Sequence, residues 1–192
     1  ALGKDPAEQR ELLKDVAKSS VDLIERGNEV VVSHGNGPQI GMFHLGMSIA
    51  SQNDPGIPYI PFPECGGVSQ GYIGYHIQNA IGNELRKRGI KKTVSTVVTQ
   101  VLVDKDDPSF KNPTKPIGQF YSAEEAKRIQ KETGLTMRED AGRGWRRLIA
   151  SPTPIDIIEI DAIKHLHHAG PVVIASGGVG IPVIETENVY EG

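Results

Sequence analysis

Two glycine clusters and one lysine are the residues of this chain whose types and spacing best suit anion chemistry. Gly35-Asn36-Gly37 lies between the apolar run Val30–Val32 and a helical pattern that begins at Gln39. Glycines let a backbone approach a ligand closely, and a helix start offers unpaired N–H groups to an anion. Pro38 removes one of those donors. The plainer alternative is a tight turn whose glycines only supply positive φ. Gly177-Gly178-Val179-Gly180 follows a second apolar run, Pro171–Ser176. In an open parallel sheet, ligands sit beyond the carboxyl ends of strands. Two glycine loops so placed could face each other across one crevice. Lys115 stands between Pro113 and Pro116. An ammonium held this way suits a point charge that meets a transferring phosphoryl group. A solvated lysine in a rigid turn is again the plainer alternative.

Other clusters point elsewhere. Gly35, Gly37 and Gly41 imitate a dinucleotide fingerprint, but that motif needs an acid about 20 residues on, at the end of the next strand. The nearest acid is Asp54, in the loop Asn53-Asp54-Pro55-Gly56. His165, His167 and His168 fall in the last turn of a helical segment, where histidine suits the helix dipole. No further Cys or carboxylate spacing accompanies them, so a surface cluster is expected and no metal site is assigned. His34 adjoins the first glycine loop and is read as making a structural hydrogen bond. Arg143, Arg146 and Arg147 could bind an anion; pairing with Glu139 and Asp140 is the preferred reading. Cys65 is read as a small buried residue.

The totals set bounds. The chain has 192 residues, 38% hydrophobic and 23% charged, with a net charge of -3. That is an ordinary globular composition. No Lys/Arg run marks a nucleic-acid surface. One cysteine precludes a disulfide within the chain and suits a reducing compartment. No run reaches the ~18 apolar residues of a membrane helix, and the N-terminus has no signal-peptide pattern.

These sites need elements to hold them. Asp5-Pro6-Ala7-Glu8 reads as a helix start with a capping box, followed by an apolar stripe of Leu12, Leu13, Val16, Ala17, Leu23 and Ile24, with Gly27 as the stop. Val30–Val32 is a strand covered on both faces. A helix from Gln39 to about Ile49 follows, then a Pro/Gly loop from Asn53 to Gly67. Ile73, Ile77, Ile81 and Leu85 are four apart, so a helix is expected over Ser69–Arg88, ended by Gly89. Thr93–Val103 reads as one long strand. Ser122–Glu125 is a capping box opening a helix that Gly134 stops, Arg143–Ile149 a strand, and Asp161–Ala169 a helix ended by Gly170. Alternating strands and helices imply an α/β fold, a three-layer αβα sandwich with a mainly parallel sheet. Residues 1–103 and 151–192 would form that domain, with 104–150 inserted as a small protruding subdomain.

Longer stretches carry a resemblance. Ser33–Gln39, Ser69–Tyr75, Val98–Asp104, Asn112–Gly118, Glu139–Arg147 and Ser176–Val183 resemble the motifs of carbamate kinases, in order and over essentially the whole chain. Asn112–Gly118 and Glu139–Arg147 separate these from other amino-acid kinases. The resemblance implies a cytoplasmic homodimer of arginine metabolism, with no nucleic-acid or membrane partner. Its N-terminal half takes carbamate or carbamoyl phosphate, and its C-terminal half takes ATP or ADP with Mg2+. It implies that Gly35, Asn36 and Gly37 bind the carbamoyl or phosphoryl group. Lys115 would reach the transferring phosphate, and Gly177, Gly178 and Gly180 would form a loop close to the phosphates. Val179 departs from the family, where glycine is usual, and Gln119 stands where proline is common. The family pattern also begins with a strand and a Gly-Gly-Asn turn, of which Ala1-Leu2 resembles the tail, and ends with a nucleotide half after Gly192. On that basis the 192 residues alone are expected to be inactive and poorly soluble. The alternatives are a related kinase of another carboxylate, or an inactive substrate-binding fragment.

Overall fold

The computed structural model describes residues 5–192, which fall into two units. The first holds residues up to Gly35, then Gln70–Gln100 and Ile157–Gly180. Its first helix, α1 (Pro6–Glu25), starts where Asp5 accepts hydrogen bonds from the N–H groups of Ala7 and Glu8, at 2.8 and 2.9 Å. Gly27 closes it at φ +83°. The buried face is Gln9, Leu13, Ala17 and Val21, spaced at four. Leu12, Val16 and Leu23 of the expected stripe are instead exposed. The true seam is narrower than an apolar count suggests, because a strict i, i+4 line meets a single partner helix.

That partner is α3 (Phe62–Lys87), whose residues from Gln70 onward belong to this unit. Ile73, Ile77, Ile81 and Leu85 pack with Leu13, Ala17, Val21 and Ile174 in one buried cluster. Arg88 ties the two helices together, meeting Asp22, Glu25 and Glu84 at 2.6–2.7 Å. The sheet beneath is β1 (Val31–Val32), β2 (Val94–Thr96) and β8 (Val172–Ile174), in the order β1-β8-β2 and parallel throughout. β8 is fully buried, as a central parallel strand requires. Its Ile174 joins the α1/α3 cluster, while Val173 packs with Ile163 of α6 (Ile160–His168). Helix, sheet and helix are therefore the three layers of an α/β sandwich. β1 departs from expectation: it is an outer strand of these three, and Val31 is exposed.

The expected strand over Thr93–Val103 breaks into β2 and β3 (Gln100–Val103). Side chains replace the ladder at the break. Thr99 donates its N–H to Gln70 Oε1 at 2.8 Å, and Gln100 donates its N–H to Glu159 Oε2 at 2.7 Å.

The second unit holds Asn36–Ser69, Val101–Asp156 and Ile181–Gly192. Helix α2 (Gly37–Asn53) runs longer than expected, and α3 begins at Phe62, inside the expected Pro/Gly loop. Gly66 and Gly67 are thus helical; a Cβ on either would meet Ile181 at 3.6 Å, an ordinary contact. After the short α4 (Pro108–Lys111), β4 (Lys115–Tyr121), β5 (Met137–Glu139) and β6 (Trp145–Ile149) form an antiparallel sheet, order β4-β6-β5. Helix α5 (Ala123–Thr133) precedes β5, with the reciprocal Ser122/Glu125 capping box and Gly134 at φ +72°. A further sheet has the order β10-β9-β3-β7, from β7 (Pro154–Ile157), β9 (Ile181–Thr186) and β10 (Val189–Glu191). Glu187 and Asn188, both at positive φ, make the tight turn between β9 and β10.

Candidate functional site

In the first unit the two glycine segments meet. Gly178 donates its N–H to the His34 carbonyl at 2.7 Å, and Ser33 Oγ donates to the Ser176 carbonyl at 3.1 Å. His34 Nδ1 lies 3.1 Å from the Gly35 carbonyl. A carbonyl only accepts, so Nδ1 carries the proton and Nε2 is bare in the neutral ring. Burial lowers the His34 pKa, partly offset by that carbonyl contact.

A buried polar frame supports the Ser176–Gly180 turn. Gln70 Nε2 donates to the carbonyls of Thr99 and Gly177, at 3.1 and 2.8 Å. Thr99 Oγ1 accepts from the Ser176 N–H at 2.9 Å and donates to the Val97 carbonyl at the same distance. Gln70 and Thr99 are almost wholly buried. Each buried polar group is thereby satisfied, which rigidifies the turn. Sequence reasoning assigned neither residue a role. The signal was there: Gln70 sits three residues before Ile73 on the face that becomes the helix seam.

The glycines of the two loops are glycines for different reasons. Gly178 and Gly180 have φ of +64° and +90°, and a Cβ on Gly177 would stand 2.4 Å from His34 Nε2. Conformation and packing explain all three. Gly35 and Gly37 have neither reason. Their φ angles are not in the left-handed region, and a Cβ on either would meet nothing within 4 Å among the described residues. The tight-turn alternative for this loop therefore fails. Open space above a glycine that neither turn nor packing demands suits close approach of a ligand.

In the second unit, Asn36 starts α2, but its side chain does not cap it. Its Nδ2 donates instead to Ser69 Oγ at 2.8 Å, and Ser69 Oγ donates to the Gly66 carbonyl at 2.7 Å. The first helical bond of α2 is Ile40 N–H to the Asn36 carbonyl, so the amides before it are left to other partners. Gly41 of the apparent dinucleotide series has a packing role: its Cβ would fall 2.4 Å from Gly118 Cα. Lys115 opens β4, half-buried, opposite Ile149 of β6.

The chain matches carbamate kinases along its whole length. It is 54% identical over 192 residues to carbamate kinase 3 of Staphylococcus aureus (strain USA300), covering 100% of this chain and 62% of that protein. It is likewise 54% identical, over 197 residues, to carbamate kinase of Clostridium perfringens (strain 13 / Type A), covering 100% of this chain and 63% of the relative. Its fold superposes on carbamate kinase from Giardia lamblia bound to citric acid with a TM-score of 0.92, at 38% identity, over 99% of this chain and 60% of that one. The same Giardia enzyme bound to AMP-PNP gives 0.85, with the same identity and coverage. In sequence and in fold the chain is similar to carbamate kinases. No family model matches it. It spans a little over three-fifths of the length of these relatives.

Val179, the departure from the resembled motif, is also unusual in its backbone. Its φ is +76° and its side chain is exposed. A β-branched residue in this region is strained, and a glycine there would carry no such cost.

The arginines divide. Arg146 and Arg143 pair with Asp140 at 3.1 and 3.2 Å, which holds its carboxyl below the usual range, and both guanidinium groups stack on Phe120. Arg147 does not pair with Glu139 or Asp140, correcting that part of the expectation; its partners are Phe62 and His44. The histidine cluster is engaged locally: His165 Nδ1 contacts the Asp161 carbonyl at 2.6 Å, and His167 Nε2 meets Glu29 at 3.0 Å. Cys65 is buried, and burial raises its thiol pKa.

Proposed function

We propose that the protein carrying this chain catalyses reversible phosphoryl transfer between ATP and carbamate, giving ADP and carbamoyl phosphate. The observation that carries the reading is the pair Gly35 and Gly37, glycines that neither turn geometry nor packing requires. The whole-chain likeness to carbamate kinases supplies the substrate class.

Carbamate is already an anion, so its attack on a phosphoryl group needs no general base. The work left to the protein is in-line positioning and stabilisation of spread charge. Gly35, Asn36 and Gly37 bind the carbamoyl or phosphoryl group through backbone approach and amides at the start of α2. Asn36 is held for this by Ser69. Lys115 stabilises charge on the transferring phosphate. Gly177, Gly178 and Gly180 lie close to the phosphates, on the turn that Gln70 and Thr99 brace.

Among the described residues, no group of three or more His, Cys, Asp or Glu side chains could hold a metal. Magnesium would enter with the nucleotide co-substrate and neutralise charge on its phosphates. ATP and ADP as co-substrates accord with the AMP-PNP complex of the Giardia relative. The reading also takes 104–150 as a protruding subdomain on a substrate-binding domain of 1–103 and 151–192, and the enzyme as a cytoplasmic homodimer. No helix among the described residues is long and apolar enough to cross a membrane.

Initial rates of ATP formation from ADP test the reading. Carbamoyl phosphate should be used far better than the phosphates of acetylglutamate, aspartate or UMP. Turnover of one of those, with none of carbamoyl phosphate, would replace the assignment with another acid kinase.

A further inference from the structure

Arg147 differs from the other half-buried arginines that structure this chain. Arg88 meets three carboxylates and Arg146 meets Asp140. Among the described residues no carboxylate pairs with Arg147, and its Nε is buried without a hydrogen-bond partner. Burial pushes its guanidinium below the ordinary arginine value, partly offset by the Tyr59 and Tyr121 phenols, and no carboxylate is among the causes. A desolvated cation without a counter-charge is costly, and a fold keeps one where an anion will supply that charge.

The side chain is nevertheless held in place. Its guanidinium lies 5.2 Å from the Phe62 ring centre, and Nη1 approaches His44 Nδ1 at 3.4 Å. Arginine only donates, so His44 Nδ1 is bare and its Nε2–H donates to Tyr59 Oη at 3.0 Å.

The register adds a second cation. Lys115 pairs with Ile149, and Ile117 with Arg147. Opposed residues share a face and alternate residues return to it, so Lys115 and Arg147 lie on one face as diagonal neighbours. Diagonal positions are about 7–8 Å apart at Cα, within reach of long side chains. No carboxylate pairs with Lys115 among the described residues either.

We propose that Arg147 and Lys115 form a two-point grip on one oxyanion, the phosphoryl end of carbamoyl phosphate, with Phe62 and His44 presenting the guanidinium. This rests on the function proposed above for the substrate's name, though not for its charge. Arg147 and Lys115 would both bind the anion in the ground state, and Lys115 would in addition meet charge that develops in transfer.

The test uses the full-length protein as wild type, Arg147→Lys and Lys115→Met. Titration calorimetry with inorganic phosphate reads the grip directly. Each substitution should weaken phosphate binding about tenfold or more, the range for a lost charged hydrogen bond. In Arg147→Lys the KM for carbamoyl phosphate should rise by a similar factor, with the KM for ADP unchanged. Phosphate binding like wild type in both variants overturns the grip, even if activity falls, and so does a wild type that binds no phosphate. The two variants fail independently, so misfolding of one leaves the other to decide. A wild type that does not use carbamoyl phosphate, but whose phosphate binding is lost in both variants, sinks the proposed function and leaves the grip standing.

Discussion

The Gly178 N–H and the His34 carbonyl, 2.7 Å apart, join the two glycine segments of the first unit directly. Beside this bond the His34 ring lies against Gly177, where a Cβ would stand 2.4 Å from Nε2 and 3.1 Å from Gln70 Cγ. Gly177→Ala should therefore displace the ring and disturb the Gln70 brace. A loss of about 1–3 kcal/mol is expected, as for other overpacked sites. The urea midpoint at pH 7.5 measures it. A midpoint equal to wild type would mean that the two segments are not packed as described.

A second close approach holds α2 to β4. The Gly41 Cβ position lies 2.4 Å from Gly118 Cα and 2.9 Å from Gly118 N. Both atoms are backbone, and no rotamer change can relieve the clash. Gly41→Ala should cost at least as much as Gly177→Ala, whereas Gly46→Ala, with open space around it, should not destabilise. Equal midpoints for the two α2 variants would contradict the contact.

Stability should fall on the acid side. Burial lowers the pKa of His34, His44 and His76 below 6.5, reinforced by the charge of Arg147 at His44 and of Arg10 at His76. Unfolded, each would titrate near 6.5, so below that pH the unfolded chain binds more protons than the folded one. The contribution is fully present above pH ~6.5 and is lost as pH falls through the folded values. The lowered carboxylates Asp22, Asp107 and Asp140 act in the same direction in a more acidic window. Urea midpoints at pH 7.5, 6.5 and 5.5 should decline, and His76→Gln should flatten part of the decline. A flat wild-type profile would contradict the burial of these rings.

Much of this fold is written in local signals. The Asp5 cap, the Ser122/Glu125 box and the Ile73–Leu85 spacing each depend on neighbours within one helix, and each appears in the structure. What escaped reading depends on distant partners. Nothing local in Thr93–Val103 shows that Gln70 and Glu159 will take over its hydrogen bonds. Leu12 and Val16 are as apolar as Leu13 and Ala17, and only the position of α3 decides which are covered. Arg147 sits in the same motif as Arg143 and Arg146, yet alternation along β6 sends it to His44 while Arg146 turns to Asp140. The glycine loops and Lys115 were visible as residues. The reasons for each glycine became distinguishable only with φ angles and neighbours in hand.

Lys115→Ala should separate catalysis from folding. Loss of one electrostatic contact to the transition state is worth about 3 kcal/mol, or ~100-fold in kcat. Lys115 is half-buried and forms no ion pair among the described residues, so the unfolding midpoint should move little. Near-normal kcat would leave Lys115 a strand residue with no part in catalysis.

Gly35→Ala tests the central claim most directly, because every purely structural reason for that glycine is absent. Its φ suits any residue, and the added methyl meets nothing within 4 Å among the described residues. The variant should keep the wild-type unfolding midpoint and far-UV spectrum, while kcat/KM for ATP formation from ADP and carbamoyl phosphate falls ~100-fold, the scale for misplacing a reacting group by about 1 Å. Wild-type kcat/KM in a fully folded Gly35→Ala protein would contradict the account, since the space above Gly35 would then not be where the substrate sits.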